Sequence, residues 1–332
     1  MKRIFKSNLF FLCLVLLQFI VPSILLFAFK LDTSTVLIVS SLFTIFLPTI
    51  IYFLVTKKPV KETLMLHKLS KRGLIASIAL PFLCYPIAAF CNILTSFWYT
   101  NNVSDAMQTM VGMPSLVFLF AFAISPAIGE EIIMRGVVLD GYKNKSIHTA
   151  AFMNGLLFAI LHFNMPQFLY AFFLGAVFSY LVYYTGSIFS SMIVHFIFNG
   201  FSSLSFLVLN KLMNSELIPN EVTDMINNEV AAVSFNITQL LYSLFISIIC
   251  IIVIIEIFKW LNKYKNATHE IPSTEDTSLE NLYTSNYEGI EINDSHIPRN
   301  EDDFKRFSSK LANSIAYLPI AISIIIFIFT AI

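Results

Sequence analysis

The chain has 332 residues, 57% hydrophobic and 13% charged, with zero formal net charge and a mean hydropathy of +0.75. A soluble domain carries about 25% charged residues, so this composition excludes one and reads as an integral membrane protein. Zero net charge offers no case for nucleic acid as a partner. The four cysteines (Cys13, Cys84, Cys91 and Cys250) all fall in apolar segments without CxxC or Cys/His spacing. That supports neither a disulfide framework nor a thiolate zinc site, and they read as small buried hydrophobes.

Lys2, Arg3 and Lys6 precede an apolar run too long for a signal peptide, with no small-residue cleavage site after it, so the first helix reads as a retained anchor. A bilayer core needs about 20 apolar residues per helix. On that rule the chain is an all-α, polytopic transmembrane bundle of about nine spans, at 9–29, 35–55, 73–97, 114–139, 147–164, 168–184, 188–209, 237–258 and 312–332. The expected division is N-terminal helices over 1–112, a central core over 113–209 and an outer loop with the eighth helix over 210–261. A disordered acidic cytoplasmic linker follows over 262–311, then a final helix over 312–332. The outer loop 210–236 is polar with some apolar residues, which suits a short interfacial helix. No internal repeat is visible, nor the paired broken helices of transporters.

With the N-terminus in the cytoplasm and sides alternating, 18 of the 21 Lys and Arg residues fall inside. Only Lys30 and Lys211 fall outside, and Arg135 lies within a span. An error of one helix before residue 259 would move a basic loop across, so the Lys/Arg bias supports this orientation.

Three polar patterns interrupt the apolar runs. The fourth span carries Glu130-Glu131-Ile-Ile-Met-Arg135, and each ionisable residue there costs roughly 2.5–3.5 kcal/mol on insertion scales. Glu131 and Arg135 stand four residues apart and can pair, whereas Glu130 is about 140° away from Arg135 on a regular helix. Glu131 and Arg135 read as an ion pair that fixes helix packing. The uncompensated Glu130 suits a general base acting on water. His162 lies one turn after Phe158, whose ring can pack on the imidazole. His195 and Asn199 share a face, and both can donate hydrogen bonds to an oxyanion or simply join helices. By span midpoints, Glu130, His162, His195 and Asn199 lie within about 6 Å of the bilayer centre, so one hydrated cavity can hold all four.

These patterns, EExxxR at Glu130–Arg135, FxxxH at Phe158–His162 and HxxxN at His195–Asn199, resemble the CAAX-protease and bacteriocin-processing (ABI) family of intramembrane proteins. The resemblance covers about residues 113–205. It implies a membrane endopeptidase in which Glu130 with His162 activates water, His195 and Asn199 stabilise the oxyanion, and Glu131, Arg135 and Phe158 shape the site. Peptide or membrane-protein substrates and membrane lipids are the implied partners. No cofactor is implied, and zinc on Glu130, His162 and His195 is the weaker reading because no HExxH-type ligand motif is present. The alternatives are a non-proteolytic scaffold or bacteriocin self-immunity protein, and a small-solute or proton carrier. The high Phe, Ile and Asn content points to an AT-rich bacterial genome, hence a multi-pass plasma-membrane protein. Oligomeric state is not legible.

Overall fold

The computed structural model describes residues 2–99, 103–215, 237–269 and 299–331, and among them every regular element is helical. Nine long helices follow one another: α1 (Lys2–Phe27), α2 (Thr33–Thr56), α3 (Lys71–Thr95), α4 (Ser115–Gly141), α5 (Ile147–Leu161), α6 (Met165–Thr185), α7 (Ile188–Met213), α8 (Ile237–His269) and α9 (Arg299–Ala331). A short helix, Val103–Gln108, lies between α3 and α4.

Eight of these are long and apolar enough to cross a membrane; α5 is not. The expected nine spans are therefore eight plus one short helix. At 1.5 Å per residue the 15 residues of α5 reach about 22 Å, against a core of about 30 Å. Most of α5 is buried among its neighbours, Leu157, Ala159 and Ile160 almost completely, so protein rather than lipid surrounds it. The chain also stays helical beyond the predicted edges of the acidic linker, to His269 and again from Arg299. Residues 270–298, the rest of that linker, lie outside the described residues, as do 216–236 of the outer loop.

Local chemistry sets the helix limits. Side chains of Asp32, Ser70 and Ser146 cap the N-termini of α2, α3 and α5 by accepting from the N–H groups of Thr35, Gly73 and Thr149 at 3.0–3.2 Å. Gly186 ends α6 at φ +66°, a conformation that glycine adopts without a Cβ clash. Three stretches widen to π-helix: Leu42–Phe46 in α2, and Phe120–Ile124 and Ile132–Val138 in α4.

Polar contacts sort the helix ends into two groups. Lys58 Nζ and Arg3 Nε approach Asp140 at 2.5 and 4.0 Å, and Ser187 Oγ donates to the His67 carbonyl at 2.6 Å. Arg72 stacks over the Tyr264 ring at 3.4 Å, and Lys265 Nζ donates to the Tyr183 carbonyl at 2.9 Å. These contacts gather the start of α1, the α2–α3 and α4–α5 links, the α6–α7 turn and the end of α8. At the opposite end, Ser34 Oγ donates to the Thr109 carbonyl at 3.2 Å and Asn210 Nδ2 to Gln108 Oε1 at 3.1 Å. There Met107, Met110 and Phe118 pack with Phe206 and Leu207. Among the described residues, Lys30 and Lys211 are the only Lys or Arg on segments of that second end.

Buried polar side chains hold the bundle together. Asn8 Nδ2 donates to the Ala316 carbonyl at 2.8 Å, and its Oδ1 accepts from the Tyr142 hydroxyl at 2.7 Å, which ties α1 to α9 and to the end of α4. Helices in lipid gain no hydrophobic drive toward one another, so such bonds and small-residue contacts carry association. Cys84, Cys91 and Cys250 are buried and Cys13 is exposed; all four are free thiols.

Candidate active site

Glu131, Arg135 and His195 form one buried cluster. Arg135 Nη1 donates to Glu131 Oε1 at 3.0 Å, and His195 Nδ1 reaches the same oxygen at 2.8 Å. Glu131 and Arg135 are fully buried. A guanidinium in such a place costs several kcal/mol unless its charge and donors are matched. Here Nη2 donates to the Gly175 carbonyl at 3.1 Å, and the planar group lies over the rings of Phe158 and Phe178 at 4.5 and 5.0 Å.

The backbone that makes this possible is unusual at two places. The π-helix Ile132–Val138 contains Arg135, and such wide turns are frequent at functional sites. Asn154 of α5 braces it: its Nδ2 donates to the Met134 carbonyl at 2.6 Å while its Oδ1 accepts from Ser179 Oγ of α6 at 3.0 Å. The other place is the crossing of α5 and α6. A Cβ on Gly175 would come within 2.7 Å of Gly155 Cα and 3.0 Å of Phe158 Cβ. Only glycine lets the two backbones meet there and brings the Gly175 carbonyl to Arg135.

His162 sits at the C-terminus of α5, one residue past its last helical turn. Its Nδ1–H donates to the Phe158 carbonyl at 2.7 Å, and the Phe158 ring packs edge-on against the imidazole at 4.8 Å. That bond leaves Nε2 as the ring's acceptor. Glu130 lies within Coulombic range of this histidine, and its Oε2 is 3.9 Å from His195 Nε2.

All four residues expected to do chemistry, Glu130, His162, His195 and Asn199, line one cavity of about 400 Å³, and Phe158 is in its wall. Glu131 and Arg135 stand behind it. Asn199 Nδ2 stands 3.1 Å from His195 Nε2. With Nδ1–H donating to the Glu131 carboxylate, Nε2 accepts from the Asn199 amide. A neutral ring so held presents no N–H to the cavity, and Asn199 keeps one. The cause is local: four residues along a helix bring the two side chains against each other before either meets a ligand.

Sequence reading missed several wall residues. Asn164, Gln167 and Tyr170 project from the α5–α6 turn and the first turns of α6, and Ser202 and Ser203 continue the stripe of His195 and Asn199 along α7. Ser203 Oγ is buried with no hydrogen-bond partner among the described residues. Asn154 also went unremarked, although an asparagine beside a glycine in an apolar run is a signal for a polar bond between helices. No group of three or more His, Cys, Asp or Glu residues converges as metal ligands would among the described residues.

Residues 112–201 match the family model described as Type II CAAX prenyl endopeptidase Rce1-like. No curated protein and no solved structure matches the chain. The matched stretch takes in Glu130, Glu131, Arg135, Phe158, His162, His195 and Asn199. Residues 112–201 therefore carry a domain of the Rce1-like CAAX endopeptidase family, a family of peptide hydrolases, within a multi-pass membrane chain.

Proposed function

We propose that this protein is an intramembrane endopeptidase that cleaves membrane-associated, lipidated or leader peptides with water activated by Glu130 and His162. The single observation that carries this reading is the convergence of Glu130, His162, His195 and Asn199 on one cavity, backed by the buried Glu131–Arg135 pair. The Glu130 carboxylate takes a proton from water as the oxygen attacks the scissile carbonyl. The tetrahedral oxyanion receives the remaining Asn199 N–H. It also receives His195 Nε2–H when that ring is protonated and the Asn199 side chain has moved off Nε2. The proton then passes from Glu130, or through His162, to the departing amine, so one peptide bond and one water become a carboxylic acid and an amine. Glu131 holds the His195 ring by Nδ1, and Arg135 holds Glu131.

The N-terminus, by the distribution of Lys and Arg, faces the cytoplasm. Mapping of protein N-termini in cells carrying the wild type or Glu130→Gln tests the reading. Cleavages should depend on Glu130 at equal protein levels. Cleavages that persist in Glu130→Gln and in Glu130→Ala defeat it and favour a non-proteolytic scaffold or immunity role.

A further inference from the structure

The cavity wall has a direction. Along α6 and α7 its members nearest the basic end are Phe178 and His195, and the residues beyond them toward that end, Arg135, Asn154 and Ser179, are fully buried. No cavity-lining residue comes from the segments gathered at the basic end. Moving the other way, the wall continues through Asn199 to Ser202 and Ser203 along α7, and through His162 to Asn164 and Gln167 at the α5–α6 turn. It finishes at Val103, Ala106 and Met107 of the short helix between α3 and α4. All of these belong to the end poor in Lys and Arg.

The second observation concerns what the outer half of the chamber could hold. His195, Asn199, Ser202 and Ser203 are spaced by four, three and one residues, so they form one polar strip on α7. Ser203 Oγ is buried and unpartnered, a group whose desolvation calls for a ligand donor or acceptor. Asn164, Gln167 and the apolar Met107, Phe122 and Pro126 line the same chamber. Amide and hydroxyl groups set among apolar walls suit an extended peptide backbone with small or apolar side chains.

We infer that the chamber takes its peptide from the non-cytoplasmic face, so its substrates are exported or membrane-anchored chains whose scissile bond lies at the outer leaflet. The inference deepens the endopeptidase reading and rests on it for the word substrate. It also rests on the Lys/Arg bias for the identity of the two faces. It separates this chain from any hydrolase that trims lipidated cytoplasmic proteins, because their termini would meet the sealed, basic end.

Thiol accessibility tests it without relying on turnover. Full-length protein bearing Cys13→Ser, with Gln167→Cys, Ser203→Cys or Glu130→Cys added singly, is exposed to a membrane-impermeant sulfonated methanethiosulfonate in sealed vesicles of either orientation. Modification of Gln167→Cys and Ser203→Cys in right-side-out vesicles, and protection in inverted ones, is the expected result. Modification from the inverted side, or protection from both, overturns the inference, and Gln167→Cys at the chamber mouth keeps the test decisive if the deeper variants misfold. The N-terminal map adds a second readout: Glu130-dependent cleavage sites should fall in non-cytoplasmic segments, and cytoplasmic sites overturn the inference. Outward labelling without Glu130-dependent cleavage defeats the hydrolase reading alone. Inward labelling with such cleavage defeats this inference alone.

Discussion

Glu131 Oε1 lies 2.8 Å from His195 Nδ1 and 3.0 Å from Arg135 Nη1, so one buried carboxylate oxygen fixes both a cation and an imidazole from different helices. The arrangement makes Glu131 the link between the folding of α4 and the orientation of α7.

Breaking that link should be costly in both respects. Glu131→Ala leaves Arg135 buried without its counter-charge, a loss of about 3–5 kcal/mol. Thermal denaturation of the detergent-solubilised protein should show it, together with a lower membrane level. The double variant Glu131→Leu with Arg135→Met removes both charges and should recover much of that stability. It should not recover cleavage, because the His195 ring loses its orienting acceptor.

Asn154→Ala should test the brace on the π-helix. It removes the donor to the Met134 carbonyl and the acceptor of Ser179 Oγ, at a cost of about 1–3 kcal/mol for groups left unsatisfied in the interior. Activity should fall further than that stability loss alone explains, since Arg135 lies next to Met134. Measuring kcat at a temperature where both proteins are fully folded separates the two effects.

Gly175→Ala should destabilise by about 1–3 kcal/mol as an overpacking change, because the new methyl would meet Gly155 Cα, a backbone atom that cannot swing away. Denaturation midpoints for this variant and for Gly112→Ala, where nothing lies within 4 Å of the added Cβ, give the contrast.

Tyr170→Phe should lower kcat by about 10²-fold while leaving KM nearly unchanged, the signature of a donor that acts in the transition state. Its hydroxyl has no hydrogen-bond partner among the described residues, and it lines the cavity within Coulombic range of Glu130. Unchanged kcat in the variant would show that the phenol only fills space.

At the basic end, Lys58 donates to Asp140 Oδ2 at 2.5 Å and to the Tyr52 hydroxyl at 2.9 Å. Burial pulls its pKa down, but these two partners outweigh burial and leave it above the usual lysine value. A raised folded-state value contributes stability that is full below the unfolded pKa of 10.5 and is lost as pH rises through the folded value. Lys58→Met should therefore flatten the alkaline limb of the stability curve.

Much of this was legible beforehand because the signals were periodic. Eight long apolar runs announced eight membrane helices, and four-residue spacing placed Glu131 with Arg135, Phe158 with His162, and His195 with Asn199. Length alone misjudged α5, because burial among neighbouring helices removes the need to match the bilayer. The π-stretch at Ile132–Val138 had no signature in residue type, since packing against α5 and α6 decides it. Nor could spacing reveal that Tyr170 and Ser203 share the wall, because that depends on how separate helices rotate against one another.

The wide turn in α4 means the helix holds more residues there than its axial rise requires. Deleting one residue between Glu131 and Arg135 would restore an ordinary spiral, swing the guanidinium off Glu131, and carry Val137, Val138 and Asp140 out of register with their partners. Natural variation in this stretch should therefore tolerate no change in its length and should retain Arg135 and Gly136.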